Sequence, residues 1–194
     1  MSIIDSILEY NKSFVNEKKY EPYRTTKYPN KKLVVLTCMD TRLTTLLPQA
    51  MNLRNGDAKV IKNAGAVITH PFGSVMRSII IAIYELKAEE VCIVGHHECG
   101  MAGLKPDSVL KKVKEKGISD ETIHTLEFTG LDINSWLTGF TQVEESVEHS
   151  VLMVKEHPLL PNNIPVHGLV ICPDTGKLDI VVDGYKNKEK ADHR

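Results

Sequence analysis

The sequence predicts an α/β fold: a central, mostly parallel β-sheet flanked by helices, with an antiparallel edge strand near the C-terminal end. Three observations carry this. Short apolar, β-branched runs, KKLVVLTC, AKVIK and EEVCIVGH, alternate with stretches of helical spacing, the pattern of strands joined through helices. The first run stops at Cys38 and the third where a histidine pair begins, so polar chemistry starts where the apolar strands end. Near the end of the chain, VHGLVIC, PDTGK and LDIVVDGY read as strand, turn and returning strand, a hairpin and therefore an antiparallel pair.

Each element follows from its local pattern. After the first strand, LTTLLPQAMNL sets Leu43, Leu46, Leu47, Ala50 and Met51 at helical spacing, although Pro48 interrupts it. RNGD is a turn signal, AKVIK a strand, and NAGAVITHPFGS a glycine-containing loop in which Ser74 is positioned to cap the following helix over about 75–86. That helix is apolar on most faces; its run SIIIAIYEL, bounded by Arg77 and Lys87, is too short for a bilayer and reads as a buried helix. A polar helical insertion, or lid, is expected over about 104–140, with SVLKKVKEKG closed by Gly117 and SDETIHTLE opened by Ser119. A helix over about 142–156 carries Val143, Val147, Val151 and Val154 on one stripe and stops before Pro158. From Lys186 onward the chain is expected to fray. No repeat or linker divides residues 1–194, which read as one domain.

Composition narrows the function. A chain of 194 residues with 42% hydrophobic content can bury a core without disulfide staples. Its 24 basic and 25 acidic residues leave a formal charge of -1, which supplies no field toward nucleic acid or anionic membranes. The opening MSIIDSILEYNKSFV has neither a basic leader with an apolar block nor a cleavage site, so a cytoplasmic protein is expected. Cys38, Cys92, Cys99 and Cys172 are too dispersed for a secreted disulfide framework; metal binding or burial fits them better.

Two strands end in candidate ligands. CMDTR supplies Cys38, Asp40 and Arg42; GHHECG supplies His96 and Cys99. The carboxyl ends of parallel strands gather on one edge, where ligands bind, so residues far apart in sequence converge there. Two thiolates and one imidazole are three metal ligands, one short of a closed tetrahedron, and zinc with an open position brings water to a pKa of about 7. A closed structural zinc site competes with this reading and needs a fourth protein ligand. Cys92 and Cys172 lie within apolar strands and are expected to be buried thiols. Asp40 can ligate the metal or accept a hydrogen bond from bound water, and Arg42 decides between these: if its guanidinium holds the carboxylate bidentately, Asp40 stays ionised and turned from the metal. His97 is expected beside the ligands as a surface or supporting residue, and His167 as a hydrogen-bonded strand residue. The interval in CMDTR is too short for a phosphate cradle, and no Walker or dinucleotide glycine motif occurs.

In their order and separation, CMDTR, KNAGA and GHHECGM, together with HPFGSVMRSI and PVHGLVICPDTGKL, resemble the β-class carbonic anhydrases, in particular their compact prokaryotic branch. The resemblance spans most of the chain. It implies one zinc ion per chain held by Cys38, His96 and Cys99, with Asp40 and Arg42 as a gating pair, and reversible conversion of carbon dioxide to bicarbonate and a proton through zinc-bound hydroxide. It also implies a homodimer embraced by an amino-terminal arm helix, within about 1–20, whose Ile4, Ile7, Leu8 and Phe14 suit either a partner surface or the helix's own domain. Gly65 is expected as a wall of the site. The glutamine and aromatic pocket residues of the family's plant branch have no counterparts assigned here. Two further functions stay open at this point: hydrolysis of carbon disulfide or carbonyl sulfide at the same site, and a non-catalytic zinc or redox-responsive module.

Overall fold

The computed structural model describes residues 1–186. Its sheet contains β1 (Leu33–Cys38), β2 (Ala58–Asn63), β3 (Glu90–His96), β4 (Val166–Ile171) and β5 (Leu178–Val182), in the spatial order β2-β1-β3-β4-β5. The first four strands in that row run parallel and β5 runs antiparallel to β4, as the alternating runs and the late hairpin predicted. From β1 the chain passes to one side to make β2 and then crosses to the other to make β3. The strand order therefore reverses direction at β1 and β3, the place where open α/β sheets bind ligands.

The continuous apolar runs reflect burial on both faces. Val34, Leu36, Val91 and Ile93 pack on one side with Met76 and Ile79 of α3 (Ser74–Tyr84) and with Val147, Val151 and Val154 of α7 (Val143–Lys155). On the other side, Val35, Cys92, Val94 and Ile171 pack with Leu43 and Leu47 of α2 (Leu43–Ala50). Cys38 and Cys99 belong to this second layer. Helix α7 lies so close to the sheet that a Cβ on Gly95 would come within 2.7 Å of Val143 and 2.8 Å of Val147. The glycine next to His96 thus lets α7 close the layer beneath the strand end.

Pro48 sits inside α2, which runs through it to Ala50 rather than being interrupted there. Other expectations are met in detail. Gly117, at φ +94°, follows α4 (Pro106–Glu115), and the Ser119 hydroxyl accepts from Thr122 N–H at the start of α5 (Asp120–Phe128). The insertion also contains a short α6 (Ile133–Leu137), capped by Asp132, that no periodicity in the sequence announced. His167 is hydrogen-bonded within β4, its Nδ1 accepting from Gly184 N–H at 3.1 Å.

Three expectations need correction, and the alternative left open for the amino-terminal helix is narrowed. Ser74 is the first residue of α3 rather than its cap; Gly73 holds the capping position with no side-chain bond, and the helix ends at Tyr84 rather than near 86. Nor is that helix buried all round: it buries Met76, Ile79 and Ala82 as a stripe against the sheet, leaving Ile81 43% and Tyr84 60% exposed. Cys172 lies just past β4 and is half-buried, because the turn to β5 begins there. Helix α1 (Ile3–Asn16) buries none of its residues, so the apolar stripe of Ile4, Ile7 and Leu8 is not covered by the helix's own chain. Phe14 alone turns inward, 6.5 Å from the Tyr23 ring. Among the described residues no helix is long and apolar enough to cross a membrane. The expected fraying concerns mainly residues 187–194, which lie outside the described residues.

Candidate metal centre

Cys38 ends β1 and His96 ends β3, so two neighbouring parallel strands deliver their last side chains to the same edge. After His96 the chain turns through Glu98, whose φ of 55° is left-handed, and this turn brings Cys99 back over the strand ends. The ligand atoms of Cys38, His96 and Cys99 all lie within 4.8 Å of one another, and all three residues are buried. The two sulfurs are 3.9 Å apart.

The surroundings prepare these atoms to bind a cation. His96 Nδ1 lies 2.7 Å from the His97 carbonyl oxygen, which fixes the proton on Nδ1 and leaves the lone pair on Nε2. That Nε2 is buried and has no hydrogen-bond partner. An orphaned buried imidazole nitrogen beside two thiols is costly unless something occupies the space between them, and a soft-ligand divalent ion such as zinc fits that donor set. Burial pushes the Cys38 thiol up, yet the adjacent His96 ring, the Gly65 N–H and the backbone at Asp40 outweigh it and bring the thiol down to about 7. Cys99 is pushed up to about 11, by burial first and then by the adjoining Cys38. One thiol is thus about half ionised at neutral pH, whereas the other keeps its proton there.

Asp40 stands at the edge of this cluster, Oδ2 being 3.8 Å from His96 Nε2. Both of its oxygens are engaged by Arg42: Nε donates to Oδ1 at 3.1 Å, Nη2 to Oδ2 at 3.0 Å, and the Arg42 backbone N–H to Oδ1 at 2.9 Å. This clamp lowers the Asp40 carboxyl to about 2. The bidentate geometry turns the carboxylate toward the arginine.

Gly65 does more than form a wall. Its N–H donates to Cys38 Sγ at 3.3 Å, and at φ +81° a side chain there would be strained and would approach Met101 and Phe140 to 3.1 Å. His97 is exposed, as expected, and supports His96 through its carbonyl oxygen. The sequence reading missed Glu98, which accepts from Arg42 Nη1 at 3.1 Å through its carboxylate and from Nη2 at 3.1 Å through its carbonyl. Its position between His96 and Cys99 was the available signal. An open depression of about 510 Å³ gives access to the cluster, walled by Asp40, Arg42, Gly65, Cys99 and Met101 among others.

Comparison with known proteins points to one family. Residues 33–178 match the family model described as carbonic anhydrase. The chain belongs to the β-class carbonic anhydrases. Within this family it is 66% identical over 193 residues to the Bacillus subtilis protein named "Putative carbonic anhydrase YvdA", covering 100% of this chain and 98% of that one. The crystal structure of β-carbonic anhydrase isoform I from Trichomonas vaginalis superposes with a TM-score of 0.87 at 36% identity, over 95% of this chain and 100% of that chain. A protein named carbon disulfide hydrolase, from Acidithiobacillus thiooxidans, is 30% identical over 174 residues and 85% of both chains. The sheet of this carbonic anhydrase family member, four parallel strands with an antiparallel edge, is the one the sequence predicted.

Proposed function

We propose that the protein catalyses the reversible hydration of carbon dioxide to bicarbonate and a proton, with one zinc ion per chain held by Cys38, His96 and Cys99. The observation that carries this reading is the convergence of two thiols and an unpartnered imidazole nitrogen within 4.8 Å beside an Asp–Arg clamp. Zinc bound by three protein ligands acidifies water to a pKa of about 7, so that hydroxide is available at neutral pH, and stabilises negative charge developing on oxygen.

The chain's own residues would do the rest. His97 O holds the His96 tautomer that presents Nε2. Gly65 N–H stabilises the Cys38 thiolate. Asp40, anionic above about pH 2, accepts a hydrogen bond from the attacking water and orients it, and Arg42 keeps that carboxylate from taking the water's place. A water oxygen forms the new bond to carbon, one carbon–oxygen π pair moves onto oxygen, and the proton released leaves to solvent buffer. In the same reading the protein is cytoplasmic and dimeric, the uncovered Ile4, Ile7 and Leu8 stripe of α1 lying on the second copy.

A second substrate class has one specific support, the relative named carbon disulfide hydrolase. Metal analysis and stopped-flow carbon dioxide hydration on purified protein, run beside an assay of sulfide release from carbon disulfide, separate the readings. We expect stoichiometric zinc and hydration without sulfide release. Sulfide release alone would move the assignment to the sulfur substrates, and zinc without either turnover would make this a binding module.

A further inference from the structure

We propose that Glu98 is a positioning residue: by gripping Arg42 from the end of the neighbouring strand, it keeps the Asp40 carboxylate turned toward the arginine and away from the candidate metal ligands. The proposal rests on the reading above for its activity arm, and its second readout does not.

Asp40 and Arg42 are two residues apart on one loop, so their mutual bonds fix each to the other but not the pair to the metal centre. That connection runs through Glu98. Arg42 Nη1 donates to the Glu98 carboxylate at 3.1 Å and Nη2 to the Glu98 carbonyl oxygen at 3.1 Å, across 56 residues of sequence. With Nε and Nη2 also bonded to Asp40, the guanidinium is held on two sides and cannot turn without breaking bonds on both loops. The carbonyl reaches this position because Glu98 adopts φ 55°, a left-handed conformation that non-glycine residues seldom take. Glu98 also lies between His96 and Cys99, so the loop that carries two of the three candidate ligands is the loop that anchors the clamp. Arg42 thereby rivets the end of β1 to the end of β3.

Removing the Glu98 side chain leaves Arg42 one acceptor short and free to swing with Asp40, whose Oδ2 starts 3.8 Å from His96 Nε2. The Glu98 side chain is 69% exposed, so screening limits the effect and the carbonyl bond survives truncation. The expected loss in Glu98→Ala is about three- to fivefold in kcat/KM for carbon dioxide hydration at pH 7. Asp40 and hydroxide would compete for one position, and hydroxide becomes more abundant as pH rises, so the loss should shrink toward pH 9. Glu98→Gln, which retains an acceptor oxygen, should restore activity to within about twofold of wild type.

The experiment combines these pH profiles with the visible absorption of the cobalt(II)-substituted wild type, Glu98→Ala and Glu98→Gln, which reports coordination without substrate. A spectrum altered in Glu98→Ala, recovered in Glu98→Gln and unaltered when Glu98→Ala is made in an Asp40→Ala background supports the proposal. An unchanged spectrum with a pH-independent loss, or no loss at all, overturns it. If the wild type binds cobalt but does not hydrate carbon dioxide, the functional reading fails while the spectral comparison still decides the role of Glu98.

Discussion

Cys92 and Cys38 occupy adjacent strands and the same core layer, yet they are chemically opposite. Cys92 is in the middle of register, paired with Val35 and His167, and burial pushes its thiol up to about 12. Cys38 is the last residue of β1, where the ladder ends and free donors such as Gly65 N–H can reach the sulfur. Burial acts on both; only the strand end supplies compensating donors. Position along the strand, more than depth, decides whether a thiol here is an inert apolar group or a candidate ligand.

The sharpest way to break this comparison is to exchange the two roles. Cys38→Ser should abolish stoichiometric zinc binding and with it hydration, a loss beyond the roughly 10- to 100-fold that removing a ligand's supporting partner costs. Zinc analysis and stopped-flow rates check it; full occupancy in that variant would remove Cys38 from the ligand set. Next in size, Arg42→Ala frees Asp40 to compete with water, and we expect a fall of about 10- to 100-fold in kcat/KM at neutral pH. Wild-type activity there would reject the clamp.

Cys92→Ala should do the reverse of Cys38→Ser. Zinc content and kcat/KM stay at wild-type values while the buried sulfur is lost at a cost of about 1–2 kcal/mol, measured by urea denaturation. The same variant carries a pH signature. The folded Cys92 thiol titrates at about 12, above the 9.0 of an unburied thiol, so its contribution is fully present below pH 9 and is lost as pH rises through 12. Stability of the wild type should therefore decline between pH 9 and 12 more steeply than that of Cys92→Ala; parallel curves would mean that the thiol is not shielded. Least of all, Cys172→Ser, in the half-exposed turn after β4, should alter stability by no more than about 0.5 kcal/mol and leave zinc content intact.

The parts of this molecule that sequence revealed are those in which a residue's chemistry coincides with a change in pattern. Cys38 and His96 stood out because an apolar run stopped at each, and Asp40 and Arg42 because they followed one such stop directly. Glu98 stayed hidden: its role depends on a left-handed turn that aims its carbonyl at an arginine 56 residues away, and nothing in GHHECG encodes φ. Ser74 misled because serine before an apolar run usually caps, while here the extended residue is Gly73. Helix α6 is five residues long, less than two turns, too brief to establish a period. Cys172 was assigned to the strand because an apolar run does not show where a ladder turns into a hairpin loop.

The strand order has a bearing on how the protein matures. Because α2, β2 and α3 separate the two strand ends that carry the candidate ligands, an emerging polypeptide that has completed Cys38 holds one thiol, and the later His96–Cys99 piece alone would offer a weak chelate. In the proposed zinc reading full affinity would arise only when β3 docks beside β1, so ion capture would follow assembly of the sheet rather than drive it, and ion-depleted chains should retain their secondary structure.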